Sequence, residues 1–337
     1  MTQYFRPIPM VDTYRTADAQ RLAGGWCWFD RVAVLERGRE PEMITASDVP
    51  QDVLDQLTKP RPSVMGLPMS QPQVMGILNV TPDSFSDGGD FVDPAESRAR
   101  ALQMKNDGAA IIDIGGESTR PGAKEVPREV EADRVGGAIE AIRETSQIPI
   151  SVDTRKASVV QSSNALQRGA PWMINDVSAA QFDPLMADVA AKMQIPICLM
   201  HAVGTPETMQ SKANYADVVF DVYDHLAERV EAVISAGVRH DDIIVDPGIG
   251  FGKTIDHNLA LLQNLSLFHG LGCPILLGAS RKRFIGTIGG EDDPKERVSG
   301  SVAVAQWAVQ QGVQILRVHD TKPTMQMINL TMAVMTG

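Results

Sequence analysis

Cysteine is scarce in this chain of 337 residues, and the three present, Cys27, Cys198 and Cys273, stand far apart. Their odd number and the lack of a C-x-x-C pair exclude a disulfide framework and leave no zinc-site signature. Long apolar runs are also missing. No stretch approaches the roughly 18 residues of a membrane helix, and MTQYFRPIPMVDTYR carries charges where a secretory leader needs an apolar core. These absences lead us to expect a cytoplasmic protein with no membrane partner. Cations are in deficit, 31 Lys and Arg against 42 Asp and Glu, for a formal net charge of -11. Nucleic acid is held chiefly by clustered cations against phosphate, so no nucleic-acid partner is expected, and an anionic substrate must meet a local basic pocket. Ser-His-Asp order, H-E-x-x-H and Cys/His ligand sets are absent, which leaves nucleophilic hydrolysis and zinc chemistry without direct support.

What is present is an ordinary globular composition, 43% hydrophobic and 22% charged, able to bury a large core. The length fits two domains, or one large barrel with an appendage. The prolines in Lys59-Pro60-Arg61-Pro62-Ser63 break periodicity and read as a linker between an appendage, residues 1–72, and a main domain, 73–337. In the appendage, 26–29 and 32–35 read as strands, 36–40 as a charged turn and 51–57 as a helix opened by Pro50. No chemistry is legible there. We expect this part to pack on the main domain.

Beyond the linker, a short apolar run, a polar residue, a loop and a helical pattern recur. The runs are 74–78, 110–114, 148–152, 172–174, 195–200, 243–245, 274–277 and 315–318. Helical patterns fall at 95–106, 130–145, 157–168, 185–193, 215–235, 257–265, 298–310 and 325–335. About eight such pairs favour an α/β fold of the TIM (β/α)8 barrel type over an open doubly wound sheet. Active sites of that fold lie at the carboxyl ends of the strands. Those ends hold Asn79, Glu117, Asp153, Asn175, Asp176, His201, Asp246, Ser280 to Lys282, Arg317, His319 and Asp320. Some of these must be helix caps and solvated rim residues.

The stretch 246–254, DPGIGFGKT, lacks the first glycine of a Walker A loop, where Pro247 stands, and does not match G-x-G-x-x-G. What remains is a tight turn that lets backbone approach a flat ligand while Asp246 offers one carboxylate to two adjacent donors, or else caps a helix. Ser280-Arg281-Lys282-Arg283 and Arg317 with His319 form a basic set suited to phosphate or diphosphate, although Arg283 reads as solvated surface. Two loops, 81–89 and 115–122, are rich in turn residues and able to fold over a substrate.

The segments MGILNVTPDSFSDGG, DIGGESTRPGA, SVDTRK, INDVSA, MHAVGTPETMQ, DPGIGFGKT, LLGASRKRFIG and RVHD follow one another from about residue 74 to the C-terminus. Together they resemble the dihydropteroate synthase family. The resemblance implies a sulfonamide-target transferase of folate biosynthesis, a homodimer joined through barrel helices away from the mouth. Its substrates would be 6-hydroxymethyl-7,8-dihydropterin diphosphate and 4-aminobenzoate, with Mg2+ as cofactor. It implies catalytic roles for Asp153, Lys282, Arg317 and His319. It further implies a pterin pocket of Asp153, Asn175, Val177, Met200, Asp246, Phe251, Lys282 and Arg317. A 4-aminobenzoate site would use Phe85, Thr119, Arg120, Pro121 and Ser280. Asn79, Arg120, Arg317 and His319 would bind diphosphate, and Asn79 the metal. Corrinoid methyltransferases that bind a pterin need no diphosphate anchor, so the basic set favours the synthase.

Overall fold

The computed structural model describes residues 2–81, 93–118, 122–205 and 208–336. The N-terminal part contributes β1 (Tyr4–Pro7), β2 (Gln20–Arg21), β3 (Trp28–Phe29), β4 (Arg31–Leu35), β5 (Glu42–Thr45) and α1 (Gln51–Thr58). An antiparallel sheet runs β1-β4-β5, and β2 pairs with β3. The strand and helix expected at 32–35 and 51–57 form, while the run at 26–29 yields only two strand residues. β1 and β5 escape sequence reading because each is four residues long, one ending in proline and the other largely exposed.

This part has its own small core, with Leu22, Cys27, Phe29, Val32, Val49 and Leu57 buried together. As expected, it packs on the barrel. Trp26 Nε1 donates to the Val309 carbonyl at 2.8 Å, Tyr4 to Asp224 at 2.9 Å, and Ser266 Oγ to the Pro7 carbonyl at 2.8 Å. The proline-rich stretch is not a free linker. Arg61 is buried and donates to the carbonyls of Lys59 at 3.0 Å, Gln56 at 3.1 Å and His269 at 2.8 Å. Val64 and Met69, on the appendage side of the expected boundary, pack into the floor of the barrel.

The barrel strands are β6 (Gln73–Asn79), β7 (Ile111–Gly115), β8 (Ile150–Asp153), β9 (Trp172–Asp176), β10 (Ile197–Met200), β11 (Ile243–Asp246), β12 (Leu276–Leu277) and β13 (Ile315–Val318). They run in the order β11-β10-β9-β8-β7-β6-β13-β12, and a parallel bridge between Val245 and Ile275 closes the ring. Around it lie α2 (Pro94–Asn106), α3 (Arg128–Arg143), α4 (Ala157–Leu166), α5 (Met186–Met193), α6 (Val218–Ser235), α7 (Ile255–Gln263), α8 (Arg283–Gly289), α9 (Val298–Gln310) and α10 (Thr321–Thr336). α8 was not expected. It is short and carries Gly286 and Gly289, so propensity hides it. Among the described residues no helix is long and apolar enough to cross a membrane.

Side chains alternate between the two faces of each strand. Ile112, Ile114, Val152, Ile174, Ile197, Ile243 and Val245 face outward and join the helices in the main core. Met75, Ile111, Met173, Cys198, Ile244, Leu276 and Ile315 face inward at the lower end and make a dry floor with Val64 and Met69. Two residues higher, the inward positions of β7, β9, β11 and β13 turn polar, as Asp113, Asn175, Asp246 and Arg317, while Ile77 and Met200 stay apolar.

Candidate active site

Asp113, fully buried inside β7, holds the centre of the mouth. Its Oδ2 accepts from Arg317 Nε at 2.7 Å and its Oδ1 from Asn175 Nδ2 at 3.3 Å. Arg317 also donates through Nη2 to Asp153 Oδ2 at 2.7 Å. One guanidinium thus sits between two carboxylates. Burial works against its charge, but Asp113 and Asp153 outweigh that and hold Arg317 above the ordinary arginine range. Burial, the largest influence on Asp153, raises its pKa; Arg317 opposes this and Asp113 adds to it. Among the described residues Asp153 Oδ1 is buried with no hydrogen-bond partner. A buried carboxylate oxygen left unpaired costs free energy, which is recovered when a ligand N–H reaches it.

Asp246 ends β11, and its Oδ1 accepts from the Gly248 amide at 2.7 Å. Burial raises its pKa against the pull of Lys282 and of that amide. The turn beyond it needs glycine. Gly248 has φ 69°, and a Cβ there would stand 1.9 Å from the His201 carbonyl oxygen. Gly250, at φ 83°, lies under the Lys282 stem, where a Cβ would come within 2.7 Å of Cδ. Lys282 Nζ donates to the Ile249 carbonyl and lies 4.3 Å from the Phe251 ring centroid. Burial pushes the Lys282 ammonium down to about 7, opposed by Asp246 and assisted by Arg317.

On the rim, His319 Nδ1 is 3.1 Å from Ser280 Oγ, and the His319 amide donates to the same oxygen at 3.3 Å. Arg281 is engaged by Asp320 at 2.9 Å, which holds its guanidinium at the rim. Val177 and Met200 are buried beside Asn175 and Asp246 in the sequence of strand ends, whereas Asn79 and Phe251 are half-buried. Phe85, Thr119, Arg120 and Pro121 lie outside the described residues. Among the described residues no three His, Cys, Asp or Glu side chains gather as a metal cage. The single Asn79 amide oxygen fits magnesium only together with substrate oxygens and water.

Three polar strand-end residues do not belong to the mouth. Asp176 falls on the outward face of β9 and caps its own turn, accepting from the Ser178 and Ala180 amides at 2.7 and 2.8 Å. Glu117 turns into a buried ion cluster, 2.7 Å from Lys156 and 2.5 Å from Arg155. His201 lies beneath the glycine turn. Conversely, Asp113 is not among the site residues expected from the sequence, where it sits inside the apolar run 110–114; its grip on Arg317 and Asn175 needs the barrel to close.

The sequence profile of the family described as pterin binding enzyme matches residues 75–319. The chain belongs to this family. It is 44% identical over 289 residues to a dihydropteroate synthase of Synechocystis sp., a match covering 84% of this chain and 99% of that one. The solved Xanthomonas albilineans dihydropteroate synthase with 4-aminobenzoic acid is similar at a TM-score of 0.76 and 42% identity, over 82% of this chain and 99% of that one. A structure of the same enzyme with 7,8-dihydropteroate gives 0.74 and 40% over 82% of this chain and 100% of that one. The pterin binding match thus begins two residues into β6 and leaves the N-terminal part outside.

Proposed function

We infer that this pterin-binding chain is a dihydropteroate synthase, which joins 4-aminobenzoate to 6-hydroxymethyl-7,8-dihydropterin diphosphate, forming the carbon–nitrogen bond as the carbon–oxygen bond to diphosphate breaks. The observation that carries this reading is the convergence of Asp153, Asn175, Asp246, Lys282 and Arg317 on one barrel mouth, with Asp153 Oδ1 left for a ligand. Asp246 accepts from the pterin amino group and ring N–H, and Asn175 serves ring nitrogens beside it. Lys282 donates to the pterin oxygen. The negative charge of Asp153 stabilises the methylene cation as the carbon–oxygen bond to diphosphate breaks, and Arg317 and His319 take up the charge of the leaving group. The displacement is dissociative and forms no covalent enzyme intermediate. All three cysteines are buried, which fits this route.

Ser280, with Phe85, Thr119, Arg120 and Pro121, receives 4-aminobenzoate, and Arg120 adds a contact to diphosphate. Asn79 would supply the protein oxygen to a magnesium ion, whose charge would offset that of the diphosphate. The reading also places the chain in the cytoplasm, with its cysteines free and buried. It makes the chain a homodimer, supported by exposed Ile288, Trp307, Leu330 and Val334 on the C-terminal helices. Purified protein given the pterin diphosphate and magnesium should release diphosphate in step with dihydropteroate, and only when 4-aminobenzoate is present. Pterin binding without any dihydropteroate would overturn the assignment.

A further inference from the structure

Lys253 closes the glycine turn of the mouth yet lies beneath it, 4% exposed. Its Nζ donates to the carbonyls of Gly248 at 2.9 Å and Phe251 at 3.0 Å and lies 2.9 Å from His201 Nδ1. The His201 carbonyl is a fourth, longer contact at 3.4 Å. An ammonium has three N–H bonds, and the three short acceptors use all of them. Burial first and Lys253 second push the His201 pKa down to about 2 and keep the ring neutral, and in its Nε2–H tautomer Nδ1 is the acceptor.

Among the described residues no carboxylate bonds to Lys253. Lys156, the other deeply buried lysine, is held by Glu117 at 2.7 Å and Glu131 at 2.6 Å. Burial, with Lys282 adding to it and Asp246 opposing, lowers the Lys253 pKa well below the usual lysine range, so a lysine buried here is costly and calls for a reason in what it fastens. The reason lies in what the same turn residues hold on their other side. The Gly248 residue whose carbonyl Lys253 holds gives its amide to Asp246 Oδ1 at 2.7 Å. The Phe251 residue whose carbonyl it holds carries the ring under Lys282. The strand-end peptide joins the same cage, since the His201 amide donates to the Asp246 carbonyl at 3.0 Å.

We propose that Lys253 is a positioning residue for the pterin: its Nζ, tied to two turn carbonyls and His201, fixes the Asp246 carboxylate and the Phe251 ring beneath Lys282. The inference rests on the assignment of Asp246 and Lys282 to the pterin. Lys253→Met keeps most of the stem and removes the three donors. In the folded variant, the dissociation constant for 6-hydroxymethylpterin, measured by calorimetry, should rise at least about tenfold. The KM for pterin diphosphate should rise in parallel, while the KM for 4-aminobenzoate stays within about twofold. A folded Lys253→Met protein that binds the pterin within about twofold of the parent would overturn the proposal. Should that variant not fold, His201→Leu decides: it removes one acceptor and keeps the lysine. Pterin binding weakened about threefold or more supports the proposal, and unchanged binding overturns it. Asp246→Asn separates the two levels. If it leaves pterin binding intact, the pocket assignment itself falls; if it abolishes binding while Lys253→Met does not, only the role of Lys253 falls.

Discussion

At the lower end of the barrel the inward side chains Met75, Ile111, Met173, Ile244, Leu276 and Ile315 are apolar and pack on Val64 and Met69. Toward the carboxyl ends of the strands, the inward positions hold Asp113, Asp153, Asn175, Asp246 and Arg317. The difference teaches how one fold divides its labour. Floor residues gain from leaving water, roughly 1.5–3 kcal/mol for each fully buried large apolar side chain. Mouth residues gain little from burial and retain charges that burial opposes, as the shifts of Asp153 and Lys282 show. On the proposed function such groups serve ligand binding, and their loss should be felt there rather than in folding.

The comparison is broken most severely by Asp246→Asn or Lys282→Ala. Either should lower kcat/KM about 10²–10³-fold, as removal of a placed electrostatic partner does elsewhere, while urea unfolding stays close to the parent. Near-normal turnover would contradict the assignment. At the floor the pattern inverts: Ile244→Ala should cost about 3 kcal/mol of unfolding free energy with kcat/KM unchanged. A loss of turnover at equal fold content would show that the floor also shapes the site.

The pH profile sharpens the contrast within the mouth. Lys282 has a pKa lowered to about 7, so its ammonium is lost as pH rises through that value, and kcat/KM for the pterin diphosphate should fall about tenfold per unit above it. Lys282→Arg, which stays charged, should move that limb to higher pH. Asp153, with a raised pKa, must be ionised to face a cation, so the acid limb should lie above that of an ordinary carboxylate. The smallest effect belongs to the N-terminal part. Tyr4→Phe removes a hydrogen bond to Asp224 and should cost about 1 kcal/mol with normal kinetics.

Much of this was legible because strand ends are marked twice, by an apolar run and by the polar residue that stops it. Asp153, Asn175, Asp246 and Arg317 were read that way, and the barrel places them together. What sequence could not resolve is the face. Asn175 and Asp176 are adjacent and both polar, yet only the pleat of β9 sends one to the mouth and the other to cap a turn. Nor could it tell which cations are consumed internally. Lys156 and Lys253 look like loop residues, and both are buried anchors because acceptors arrive from other strands and turns. Arg61 hid the packed nature of the proline-rich stretch for the same reason.

The most direct test of the division between floor and mouth is Asp153→Asn, followed on one preparation by kcat/KM and by urea unfolding. The substitution keeps the shape and removes the charge that burial opposes. We expect turnover to fall at least about a hundredfold while the unfolding free energy holds within about 1 kcal/mol or rises. Turnover close to the parent, or a loss of activity matched by loss of the fold, would contradict the account.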